Sequence, residues 1–385
     1  MTEKSIAHRA GEITPFLVMD VLEKAAAMEA AGIDVIHLEV GEPDFAIPAC
    51  VEAAMIRAAA DKKSTGYTHS LGDLRLRQAI CRHYLDQYGV SLDPGQVAVT
   101  SGTSPALMLA LGALLDPGEE IILSDPHYAC YPNFIRMADG RPVFVPVSEQ
   151  DGFQLSGPAV QAAMTPVTRA VLINSPANPT GAVMSPVHLE EIAGLGPWII
   201  SDEVYHGLEY GQRSHSILEY TDRAFVLNGF SKRYAMTGLR LGYLIMPPEF
   251  SRVVQILHQN LMICANAVVQ QAGVAALAEG DEEVRRMRAV YERRRQYLVD
   301  RLKTMGFGIP VMPGGAFYVF ANAAHLSGDS YGLAFDILEQ AHVGLAPGID
   351  FGSRGEGFLR FSYANSMENI SRGLDRLEQY LQNLT

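Results

Sequence analysis

The segment Gly229-Phe230-Ser231-Lys232-Arg233-Tyr234-Ala235-Met236-Thr237-Gly238-Leu239-Arg240-Leu241-Gly242 sets a lysine and an arginine eight residues apart in a glycine-punctuated stretch after an apolar run. A lysine amine condenses with aldehydes to a Schiff base, and a fixed guanidinium nearby lowers its pKa and offers a fork to an anionic oxygen. A basic surface patch is the plain alternative. Ile199-Ile200-Ser201-Asp202-Glu203-Val204-Tyr205 ends an apolar run with carboxylates and, three residues beyond Asp202, a phenol. Such groups project from the carboxyl end of a sheet, where α/β proteins bind ligands; two solvated loop carboxylates are the bland reading. Phe358-Leu359-Arg360-Phe361-Ser362 puts an arginine inside an apolar run. An unpaired charge there costs several kcal/mol, so an anion must meet it, either a ligand or a structural carboxylate.

Two further turns carry polar groups suited to a ligand. Asn174-Ser175-Pro176-Ala177-Asn178-Pro179-Thr180-Gly181 has the composition of a rigid turn, compatible with a cis bond before Pro179. Ser101-Gly102-Thr103-Ser104-Pro105-Ala106 reads as small residues opening a helix, where free amides suit a phosphate or serve as an ordinary cap. His127 and His206 are read as structural.

The elements that must hold these groups follow from periodicity. Thr14-Pro15 with Val18, Met19, Val21 and Leu22 reads as an N-capped amphipathic helix ending near Gly32, followed by a strand at 35–38 and the loop Gly41-Glu42-Pro43-Asp44-Phe45. Short apolar runs at 97–100, 120–123, 142–147, 170–173, 198–201 and 225–227 alternate with helical patterns, which indicates a largely parallel α/β sheet covered on both faces. After about residue 280 the pattern becomes α+β: a charged helix at 282–305, a strand at 316–320, a helix at 331–341, a strand at 357–362 and a last helix. A helix near 255–305 is expected to bridge the two parts. Its arginines (Arg285, Arg286, Arg288, Arg293, Arg294 and Arg295) read as a solvated, ion-paired face.

Composition bounds the function. The 385 residues, 48% hydrophobic and 19% charged, are enough for a large domain plus a smaller one. A formal net charge of −13 argues against a nucleic-acid or anionic-membrane partner. Cys50, Cys81, Cys130 and Cys264 form no CxxC pair and read as reduced, buried thiols. Without a basic-then-apolar leader or a membrane-length apolar stretch, the expectation is a soluble, cytoplasmic protein.

Taken in order, the turn at 101–106, the turn at 174–181, the carboxylate run at 199–205 and the lysine segment at 229–242 resemble the class I/II aminotransferases, a fold type I family dependent on pyridoxal 5′-phosphate (PLP). The resemblance extends across nearly the whole chain. It implies an α/β fold: a large PLP-binding domain over 46–280 with a mostly parallel seven-stranded sheet sandwiched by helices, and a smaller α+β domain from 1–45 and 281–385. It also implies ping-pong transfer of an amino group from an L-amino acid to a 2-oxo acid. Lys232 then carries PLP as a Schiff base, Asp202 pairs with the pyridine nitrogen, and Tyr205 and Asn178 meet the ring oxygen. Gly102, Thr103, Ser104, Ser231 and Arg240 hold the phosphate, and Tyr128 lies against the ring. Arg360, assisted by Asn178 and the backbone at Gly41, grips the substrate α-carboxylate. Tyr67 reaches the phosphate of a neighbouring subunit, which implies a homodimer with shared active sites; no metal is implied. Leu239 stands where many relatives carry tryptophan. A PLP lyase or decarboxylase on the same scaffold is the alternative, and a PLP- or amino-acid-sensing domain ranks below it, since no basic helix-turn-helix segment precedes residue 14. Aspartate, alanine, aromatic and branched-chain donors all remain open.

Overall fold

Seven short apolar runs pair side by side in the computed structural model, which describes residues 6–384. Their order across the sheet is Val97–Thr100, Gly242–Ile245, Ala224–Gly229, Trp198–Asp202, Thr168–Asn174, Glu120–Asp125 and Arg141–Pro146. Val97–Thr100 and Ala224–Gly229 are buried at every residue, as strands covered by helices on both faces must be. Six of the seven were anticipated from their apolar runs. The seventh, Gly242–Ile245, runs antiparallel to both neighbours and starts at the tail of the lysine segment. Only four residues long, it gave no period of its own to read.

A second, three-stranded antiparallel sheet orders Ala346–Pro347, Phe358–Ser362 and Tyr318–Asn322. It packs with the helices Asp281–Thr304, Ser330–Ala341 and Met367–Leu384 in a core that also takes in Ile36 and Leu38. Tyr205 and Val204, just past the end of Trp198–Asp202, belong to that core too. The carboxyl ends of the large sheet therefore face the small one.

Three local expectations need correction. The helix over Leu17–Ala30 is not capped by Thr14, which turns away to bond Asn133 Oδ1. Its free amides are met instead by Asp350, which accepts from Leu17 N at 2.8 Å and Val18 N at 3.2 Å. A carboxylate at a helix N-terminus satisfies orphan donors and complements the dipole, at about 1 kcal/mol. The bridging helix is in fact three, Ser251–Leu261, Ala267–Glu279 and Asp281–Thr304. The first break ends at Asn266, whose side chain caps the next helix. The second is Gly280, where a Cβ would sit 2.7 Å from Ala276 O and 2.9 Å from the Tyr234 ring. Finally, Arg294 and Arg295 are not solvated, unlike Arg285, Arg286, Arg288 and Arg293. Arg294 grips Asp44 with both nitrogens, at 2.8 and 2.9 Å, and so ties the Gly41 loop to the long helix. Arg295 donates to Pro313 O and to Glu292.

Candidate active site

Between the two sheets lies a cavity of ≈ 350 Å³. Eleven of the residues singled out in the sequence line it: Gly41, Thr103, Ser104, Tyr128, Asn178, Asp202, Tyr205, Ser231, Lys232, Arg240 and Arg360. Gly102 adjoins it as the residue before the helix Thr103–Leu114. Tyr67 does not line it; that side chain is 85% exposed on the surface.

Lys232 follows the strand Ala224–Gly229, and its Nζ donates to Gly41 O at 2.6 Å. Burial lowers its pKa from the ordinary lysine value to about 8, the charges of Arg360 and Arg240 act the same way, and Glu42 and Asp202 oppose the shift. A buried, partly neutral amine is a competent nucleophile and base near neutral pH.

Asp202 ends its strand facing the same space. It accepts from Tyr131 Oη at 2.8 Å and Val204 N at 3.1 Å. Burial pushes the carboxyl up to about 6, against the pull of those hydrogen bonds. Its neighbour Glu203 points the other way into the core, where Ser201, Ser216, Ile217 N and Tyr84 donate to it, and burial raises it to about 7. Neither is a solvated loop carboxylate. His206 and His127 are buried and held neutral, at about 3 and about 4, as structural histidines should be.

The turn after Thr168–Asn174 contains cis bonds before both Pro176 and Pro179. Asn174 stitches it down: its amide donates to Asp202 O at 2.9 Å and its oxygen accepts from Asn178 N at 2.9 Å. Asn178 Oδ1 then accepts from Arg360 Nη1 at 2.8 Å. Arg360 Nη2 donates to Glu39 O at 2.5 Å, and its Nε has no partner. The guanidinium is 2% exposed, between the rings of Tyr318 and Phe351, and among the described residues it makes no ion pair. A buried cation held by neutral oxygens alone is incomplete without an anion.

At the opposite end, Gly102 has φ +96°, and a Cβ there would lie 2.6 Å from Arg240 Nη2. Only glycine lets the guanidinium approach the free amides at Thr103 and Ser104. Sequence reasoning missed several members of the site. Tyr131 orients Asp202, Tyr318 Oη lies 2.9 Å from Tyr205 Oη, and Thr237 bonds Glu42. Phe16, Val18, Met19 and Leu22 bring an apolar wall from the N-terminal segment. The helical period showed that Val18, Met19 and Leu22 share a face, but nothing local says what that face meets.

The chain matches the family model for Aminotransferase class I and II over residues 33–377. It belongs to that family. The aminotransferase is 38% identical over 370 residues to the (5-formylfuran-3-yl)methyl phosphate transaminase of Methanocaldococcus jannaschii, covering 95% of this chain and 96% of that one. The solved aspartate aminotransferase of Thermus thermophilus with maleate superposes with a TM-score of 0.93 at 33% identity, over 98% of this chain and 99% of that one. An aminotransferase of Mycobacterium tuberculosis gives 0.94 at 36%, over 99% and 100%. The chain is thus a PLP-dependent transaminase of fold type I.

The cavity fits that cofactor by its own chemistry. It offers an amine of lowered pKa for an aldehyde, a helix N-terminus with an arginine for a phosphate, and the buried carboxyl of Asp202 for a protonated ring nitrogen. Among the described residues no cluster could hold a metal ion, and no helix is long and apolar enough to cross a membrane.

Proposed function

We propose that this aminotransferase works through the residues that converge on the cavity, each in a distinct role. When bound, PLP supplies an aldehyde for amine exchange and a ring that accepts the electrons released at the donor α-carbon. Lys232 Nζ anchors it and, once displaced by the donor, takes the α-proton. Asp202 Oδ holds the ring nitrogen protonated, with Tyr131 fixing the carboxylate's direction. Tyr205 and Asn178 meet the ring oxygen, and Tyr128 covers the ring. Gly102, Thr103, Ser104, Ser231 and Arg240 hold the phosphate. Arg360 takes the donor α-carboxylate with Asn178 and the Gly41 backbone assisting. The observation that carries this reading is a buried amine and a buried arginine lining one cavity, the arginine making no ion pair among the described residues.

Lys232 serves both half-reactions, since the 2-oxo acid acceptor repeats the donor's steps in reverse. The division into a large domain at 46–280 and a small one at 1–45 and 281–385 is supported by the core of the three-stranded sheet, drawn mostly from 1–45 and 281–385 with Val204, Tyr205, Leu208 and Tyr210 joining from the large part. A homodimer is supported by Tyr67, which the family resemblance assigns to a neighbouring subunit's phosphate and which stands 85% exposed outside its own chain's cavity. Four free cysteines support a reducing, cytoplasmic setting.

The role of Asp202 is tested by Asp202→Asn, which keeps shape and removes charge. Turnover is expected to fall by about 10²–10³-fold, the usual loss when one preorganised electrostatic partner goes. A loss under about threefold would remove the carboxylate from the reaction.

A further inference from the structure

We infer that the preferred amino donors carry an uncharged, apolar side chain of leucine or phenylalanine type rather than a second carboxylate. The inference rests on the assignment of Arg360 to the α-carboxylate and names the substrate class of that same site.

Among the described residues three basic side chains line the cavity, Lys232, Arg240 and Arg360. Each is committed: Lys232 as the reacting amine, Arg240 at the helix N-terminus beside Gly102, and Arg360 between Asn178 and Glu39 O. Among the described residues no fourth cation lines the cavity to meet a distal carboxylate. The uncommitted wall is apolar. Phe16, Val18, Met19 and Leu22 come from the segment that Asp350 pins by its grip on Leu17 N and Val18 N. Phe16 stands edge-on to Tyr128 with ring centres 6.0 Å apart, so the wall continues to the face where the cofactor ring is proposed to lie.

The other charged side chains lining the cavity are carboxylates, Glu39, Glu42 and Asp202. Glu42 lines the cavity, bonds Thr237, and is the foremost charge raising the pKa of Lys232. Against this chain's wall a second carboxylate would lose hydration with no cation of the described residues to pair it, and the carboxylates lining the same cavity would oppose it. An apolar side chain loses nothing there and sheds water on both sides.

The test uses the PLP-loaded enzyme and single donors: leucine, phenylalanine, alanine, aspartate and glutamate, each followed through 2-oxo acid release. The kcat/KM for leucine or phenylalanine is expected to exceed that for aspartate and glutamate by about tenfold or more, the scale on which side-chain burial discriminates. In Phe16→Ala the ratio of leucine to alanine kcat/KM is expected to fall by about tenfold, because the methyl of alanine does not extend to the wall. An aspartate or glutamate preference would overturn the inference while leaving the transaminase reading intact. So would a Phe16→Ala variant with an unchanged leucine-to-alanine ratio. Failure of every donor to yield a 2-oxo acid would overturn both.

Discussion

Replacing Lys232 by alanine is expected to cut transamination by about 10⁴-fold or more, because in the role proposed for it this lysine is at once the amine that anchors the cofactor and the proton carrier. The Nζ makes a single hydrogen bond, to Gly41 O, so the fold should survive. A readout separate from activity comes from pH. Burial lowers the Lys232 pKa from 10.5 to about 8. Between those values the unfolded chain binds more protons than the folded one, so the stability of the cofactor-free wild type should gain from this group as pH rises through that window. Denaturant midpoints of the Lys232→Ala protein, measured across the same window, should lack that contribution. Residual turnover within about a hundredfold of wild type would reject Lys232 as the central group.

Arg360→Gln should lower kcat/KM for every α-amino acid donor by about 10²-fold or more, the scale of losing one partner of a buried, charge-assisted contact. The surroundings of the guanidinium are the reason. Its neighbours are an amide oxygen, a backbone carbonyl and two aromatic rings, with Nε unpartnered. A simple alkylamine, which lacks the carboxylate, should lose far less, and Arg360→Lys should not rescue the amino acids because an ammonium cannot reproduce the fork. Equal losses for amine and amino acid would mean that Arg360 is structural.

Local chemistry explains which parts of this site were legible in the sequence. Lys232, Asp202, Asn178 and Arg360 each sit at the end or in the middle of an apolar run, where a polar group advertises itself, and the cavity gathers all four. Six of the seven strands of the large sheet are visible for the same reason. What stayed hidden depends on residues far apart in the chain. The cap on the helix Leu17–Ala30 is Asp350, over three hundred residues away, whereas the local sequence points to Thr14. Tyr131 and Tyr318 look like ordinary core aromatics until the folded chain sets their hydroxyls against Asp202 and Tyr205. Arg294 shares a helix with solvated arginines, and only the Gly41 loop, folding back with Asp44, distinguishes it. Tyr67 was legible as a site residue by resemblance alone, and its own chain leaves it at the surface.

One buried lysine and one buried arginine are proposed to handle an amino acid around PLP in a single cavity. Visible absorbance of the PLP-loaded protein, followed after adding one amino acid with no 2-oxo acid acceptor, tests it most directly. The account predicts a band from the lysine-bound cofactor that gives way to the pyridoxamine form, with stoichiometric release of the 2-oxo acid. A band that never forms, that persists through a full panel of donors, or that decays with release of carbon dioxide instead would contradict it.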